Sequence, residues 1–148
     1  MTLHKLCPIM VFILICFVSG CATREINEGN VDVLLHNFQE GTLQLSSSLE
    51  TSGNNGRFSS QYVELANKRK WMQLSKLVIM ANSADDLSWY LLGISAEGLG
   101  YKKAARQYYI NSVNSPVKLC HAGNGYLKTV CCDLYLPEES LKQLRDLH

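Results

Sequence analysis

Beyond its first twenty residues the chain has no excess of charge of either sign: Lys5 is the one formal charge there, so 13 Lys and Arg face 13 Asp and Glu in the remainder. Nucleic-acid binders concentrate basic residues to neutralise phosphates, and that excess is missing, so no nucleic-acid partner is expected. The one basic run, Lys68-Arg69-Lys70, reads as a solvated helix end. A bilayer-spanning helix needs about 20 apolar residues. The apolar run from Pro8 to Val18 has eleven. Cys-x-x-Cys, Gly-x-Ser-x-Gly, His-Glu-x-x-His and a phosphate-binding glycine loop are all absent, so the common catalytic sites lack their residues. A non-enzymatic protein without a cofactor is the expectation.

What is present begins with a leader. Lys5 precedes the apolar run, whose length suits the roughly 7 to 15 residues of an export signal. Val18-Ser19-Gly20-Cys21 then follows, small residues before a cysteine. This tetrapeptide resembles the lipobox of bacterial lipoproteins. The resemblance implies cleavage before Cys21, a diacylglycerol thioether on its sulfur and acylation of its amine. Two or three acyl chains, at about 0.8 kcal/mol per buried methylene, exceed the single chain that binds only reversibly. By analogy with enterobacterial lipoproteins, Ala22 in place of Asp implies the periplasmic face of the outer membrane.

The 128 residues from Cys21 onward suffice for one domain with its own core. Three segments are expected. Residues 1–20 form the signal; residues 21–58 form a lipidated tether with a weakly helical stretch; residues 59–148 form the folded domain. In the second segment Asn30 is expected to cap a helix carrying Val31, Leu34, Leu35 and Phe38, and Ser46 to Ser60, rich in Ser, Gly and Asn, to be a loop. Helical periodicity then marks Tyr62, Leu65 and Ala66; next Trp71, Leu74, Leu77, Val78 and Ala81; next a helix opened by Ser83 and an acid three residues on; and last Tyr101 to Asn114, with Ala104, Ala105, Tyr108 and Val113 inward. Such short connections make antiparallel hairpins.

Trp89, Leu92-Gly93, Gly100-Tyr101, Ala104 and Tyr108 resemble one tetratricopeptide repeat, in which small residues let two helices approach and aromatics fill between them. Ala96 stands where the family has Tyr, and the closing proline is displaced to Pro116. The expected fold is therefore all-α, antiparallel hairpins of tetratricopeptide-repeat type. The family places the inner face of the first helix of each pair against a peptide or partner helix, which implies Tyr90, Leu91, Ile94 and Glu97 as contacts to an envelope protein.

Cys120, Cys131 and Cys132 remain once Cys7 and Cys16 leave with the signal and Cys21 takes lipid. Outside the inner membrane a Cys120 to Cys131 disulfide, or Cys120 to Cys132, is expected to staple the Gly-Asn-Gly loop. The alternative function, an envelope enzyme or metal-binding protein, would use the same Cys120 to Cys132 region with His121. Leu136-Pro137-Glu138-Glu139 looks like a helix start, and the helix is expected to lay Leu141, Leu144 and Leu147 over the end of the stack.

Overall fold

The computed structural model describes residues 28–46, 52–120 and 135–147. Residues 1–27, Cys21 among them, and the 121–134 segment with Cys131 and Cys132 lie outside them. Six helices are found among the described residues, with two isolated β-bridges and no longer strand. They are α1 (Glu28–Glu40), α2 (Ser52–Asn67), α3 (Trp71–Ala81), α4 (Asp86–Gly98), α5 (Lys102–Asn114) and α6 (Leu136–Asp146). The all-α expectation holds. None of the helices is long and apolar enough to cross a membrane.

Helices α2 to α5 pack each on the next, and α5 also receives α1 and α6. The side chain of Trp71, first in α3, lies so tightly over Gly98, last in α4, that a Cβ there would overlap the indole. Those two helices are therefore antiparallel. The α4 and α5 pair is antiparallel as well, since Ser112 Oγ reaches the Asp86 carbonyl at 2.8 Å while Tyr109 lies over Gly93.

Three helices end in the same way. Gly41, Arg69 and Gly100 take left-handed backbone, with φ of 76°, 53° and 83°. In each case the following amide bonds back five residues: Thr42 to Asn37, Lys70 to Leu65 and Tyr101 to Ala96. This is the Schellman arrangement, which satisfies carbonyls orphaned at the helix end. It makes the α2–α3 and α4–α5 connections only three residues long.

Several expectations are corrected. The stretch read as a loop, Ser46 to Ser60, is helical from Ser52 onward, so the boundary expected at residue 58 falls inside α2. The weak propensity of Ser-Gly-Asn-Asn-Gly is overridden because the same helix continues into Tyr62, Leu65 and Ala66, which pack inward. Helix α1 begins before Asn30. Its Phe38, expected ahead of the folded core, lies in the centre. Ser83 does not cap α4. The cap is Asp85, in extended conformation, whose carboxylate accepts from the Ser88 amide at 2.7 Å. Ser83 is buried instead in a bridge with Ser46.

The core is organised on Tyr108. Its ring stacks on Phe38 of α1 at 5.8 Å and on Trp89 of α4 at 5.9 Å. Its hydroxyl donates to the Phe38 carbonyl at 2.9 Å, holding the end of α1. Rings in such arrangements add about 0.5 to 1.5 kcal/mol per pair beyond the area they bury. Ala104 and Ala105 are fully buried, which brings α5 close to its neighbours.

Helix α6 does cover α5, with Leu144 and Leu147 turned inward as expected and Leu141 not. Leu136 and Ser140 are fully buried, Leu144 is half-buried and Leu147 is buried, whereas Leu141 is 44% exposed. The spacing of three and four residues from Leu136 defines the stripe, and Leu141 stands one residue off it. Arg106 of α5 donates to the Leu147 carbonyl at 2.8 Å and holds the far end.

Candidate functional site

Tyr90, Leu91, Ile94 and Glu97 all lie on α4. Tyr90, Ile94 and Glu97 share one helical face by spacing. Burial separates them: Tyr90 and Leu91 are in the core, Ile94 is half-buried and Glu97 is exposed. Of the four, Glu97 alone is exposed.

Glu97 is tied to the next helix. The Tyr109 hydroxyl of α5 donates to its Oε2 at 2.6 Å. Tyr109 also fills the space over Gly93, and its ring lies 5.9 Å from that of Tyr90. Burial pushes the Tyr90 hydroxyl up to about 12, helped by the negative charges of Glu139 and Glu97. Tyr109 is pushed higher still, by burial first and then by its bond to Glu97. Both phenols therefore keep their protons at neutral pH, and Tyr109 acts as a donor that orients Glu97 and not as a base. Sequence periodicity indicates neither the role of Tyr109 nor its depth. The signal is the doubled Tyr108-Tyr109, since a helix wedged between α4, α1 and α6 buries adjacent positions.

A second constellation gathers where α4 begins. Asp86 is fully buried, and its Oδ1 accepts from the Leu119 amide at 2.7 Å, with the Cys120 amide at 3.4 Å from both carboxylate oxygens. The Asp86 amide in turn donates to the Val117 carbonyl at 3.0 Å. Ser115 Oγ donates to the Ala84 carbonyl at 3.0 Å, and Ser140 Oγ of α6 donates to Ser112 Oγ at 2.9 Å. These bonds fasten residues 115–120 and the cap helix to the start of α4. Burial raises the Asp86 carboxyl above the usual range, and the two backbone donors pull partly the other way. At the level of sequence both aspartates read as helix-start residues, and both are: Asp85 caps the helix, while Asp86, its first residue, is also a clamp.

Cys120 is buried at the end of this clamped segment. Its expected partners Cys131 and Cys132, and His121 of the alternative metal reading, lie outside the described residues. Among the described residues no group of His, Cys, Asp and Glu is placed to hold a metal ion.

Comparison of the chain with protein-family models, with curated proteins and with solved structures finds no match.

Proposed function

We propose that this chain is a lipid-anchored scaffold or assembly factor on the periplasmic side of the outer membrane. It carries no catalytic role in this reading, and it holds an envelope protein or peptide against its helical hairpins. The observation that carries the reading is the α4 and α5 pair. Gly93 is seated under Tyr109, and Glu97 is presented to solvent from the same face and oriented by the Tyr109 hydroxyl. Close helix approach at a small residue, with aromatics filling between, is the packing logic of a tetratricopeptide hairpin, and such hairpins present side chains of their first helix to partners. Ile94 and Glu97 reach the surface, and Tyr90 and Leu91 support it from beneath.

Anchoring follows from Val18-Ser19-Gly20-Cys21, with acylated Cys21 in the bilayer. A Cys120 disulfide to Cys131 or Cys132 would hold the loop before α6. The staple is supported by the fixed position of the Cys120 backbone at the Asp86 clamp.

The test is photo-crosslinking in envelope membranes from probes placed singly at Ile94 and Glu97, with Met80, 65% exposed on α3, as the control position. A discrete crosslinked species from the α4 positions and not from Met80 is expected. Identical patterns from all three would overturn the assignment of this face.

A further inference from the structure

Three features at one end of the bundle work against the helices they belong to. Trp71 against Gly98 brings the α2–α3 turn beside the α4–α5 turn. The end of α1 joins them, where Gln39 Nε2 donates to the Tyr101 hydroxyl at 3.2 Å. Arg69 occupies a left-handed position at φ 53°, where glycine is relaxed and any side chain is strained. Lys70 is the N-cap of α3 and makes no side-chain cap bond, where Ser, Thr, Asp or Asn would satisfy an amide. Lys102 and Lys103 open α5, whose first turn has no acid although its dipole favours one. Each choice forgoes local stability and adds positive charge. A sequence that breaks local rules repeatedly at one place marks a functional surface.

Lys68, Arg69, Lys70, Lys102 and Lys103 are all exposed. The acids nearest by position are Glu40, Glu64, which pairs with Lys68 at 2.6 Å, and Glu97, which accepts from Tyr109. Folding thus gathers five cations at an end where three acids stand.

We propose that this end is a docking surface for anionic phospholipid headgroups, which orients the domain on the bilayer that holds its anchor. The proposal rests on the lipid-anchored reading above. The cations sit on two separate turns and do not converge on one point, as suits a plane of phosphates better than a single phosphate group. Trp71 and Tyr101, both half-buried at the same rim, are amphipathic rings of the kind that settle at a membrane interface. Attraction of this kind falls with ionic strength because it acts between exposed charges across water.

The full chain, prepared in a host that processes lipoproteins and reconstituted in vesicles, is labelled with an amine-reactive acetylating reagent and read lysine by lysine by mass spectrometry. In vesicles containing phosphatidylglycerol, Lys68, Lys70, Lys102 and Lys103 should be protected several-fold relative to all-phosphatidylcholine vesicles. Lys76 and Lys142 are the internal controls. Protection should vanish in high salt, and in the double variant Arg69→Glu, Lys70→Glu it should vanish at Lys102 and Lys103. Equal labelling in the two vesicle types overturns the proposal. So does protection that appears only when envelope proteins are added, which would assign the surface to an acidic protein. The mass of the Cys21 peptide from the same sample reports the anchor separately. If Cys21 carries no lipid, adding the chain to preformed vesicles reads the same footprint, so failure of the anchor and failure of the basic surface are told apart.

Discussion

A Cβ built on Gly93 of α4 would stand 2.5 Å from Cε1 of Tyr109 in α5, far inside the contact distance of two non-bonded carbons. The hydrogen bond from Tyr109 to Glu97 fixes the same ring from its other end. The helix pair at the centre of the fold is therefore held at one separation by a missing side chain and a phenol.

Gly93→Leu is expected to force α4 and α5 apart and destabilise by about 1 to 3 kcal/mol, as overpacking in a tight core does. Even Gly93→Ala should lower the denaturation midpoint. A Gly93→Leu protein with the wild-type melting temperature would show that the two helices do not touch here.

Arg69→Gly should act in the opposite direction. Removing the side chain at φ 53° relieves left-handed strain of roughly 1 to 2 kcal/mol, partly offset by the freer unfolded chain of glycine, and the net gain is measurable as a rise in denaturant midpoint at unchanged slope. The same variant should weaken salt-sensitive contact with anionic vesicles. A gain in stability together with unaltered lysine protection would separate the strain from the surface.

Where hydrophobic spacing is decisive, the sequence is legible. Trp71 to Ala81 forms the expected helix, and Ala104, Ala105 and Tyr108 face inward as their positions require. Gly93 is recognisable as a close-approach residue from its place after Leu92 in the repeat-like pattern. What periodicity does not reveal are contacts between segments distant in sequence. Phe38 joins the core because Tyr108, seventy residues on, stacks on it and bonds its carbonyl. Asp86 looks like a partner of the helix dipole because nothing local says that the amides of Leu119 and Cys120 come back to meet it. Ser52 to Ser60 has a composition that opposes helix, and only the helix it leads into explains it. Likewise Lys68-Arg69-Lys70 reads as a solvated helix end until the neighbouring turn brings Lys102 and Lys103 beside it.

Asp86 should leave a mark on the pH dependence of stability. Its folded carboxyl titrates above the ordinary value of 3.8, because burial disfavours the charge more than its backbone donors favour it. A raised acid stabilises the fold while it is protonated, and that contribution is lost as pH rises through the folded value. The unfolding free energy of wild type relative to Asp86→Asn should accordingly fall as pH climbs from the ordinary aspartate range, then level off once the folded group is ionised. A difference that instead grows with pH across that window would mean that the bonds from Leu119 and Cys120 outweigh desolvation.

Cys21→Ser tests the membrane attachment directly. The thioether requires the sulfur, so the variant should accumulate as uncut precursor or release a soluble domain, seen by gel mobility and membrane fractionation. Normal processing with tight retention would remove the lipoprotein reading. Electrostatic contact of the basic end is salt-sensitive, so a high-salt wash distinguishes it from a covalent lipid.

The cap helix gives the sharpest contrast between neighbouring positions. Leu136 is fully buried where α6 meets α5, and the Leu136 amide donates to the Cys120 carbonyl at 3.3 Å, so the residue joins the clamp to the cap. Truncating such a leucine to alanine typically costs about 2 to 5 kcal/mol, because the transfer energy is lost and a cavity is left behind. Leu141 is 44% exposed on the same helix and faces away from the stripe formed by Leu136, Ser140, Leu144 and Leu147. Leu141→Asp should therefore change stability by no more than about 0.5 kcal/mol, the usual range for a surface position. Leu136→Ala should also be coupled to Asp86→Asn, since Asp86 holds the Leu119 and Cys120 amides that precede the cap and both changes loosen one unit. Thermal or denaturant melts of the two single variants and the double variant give the coupling. Additive losses, or a Leu141→Asp protein as unstable as Leu136→Ala, would show that α6 is seated on a different face from the one described.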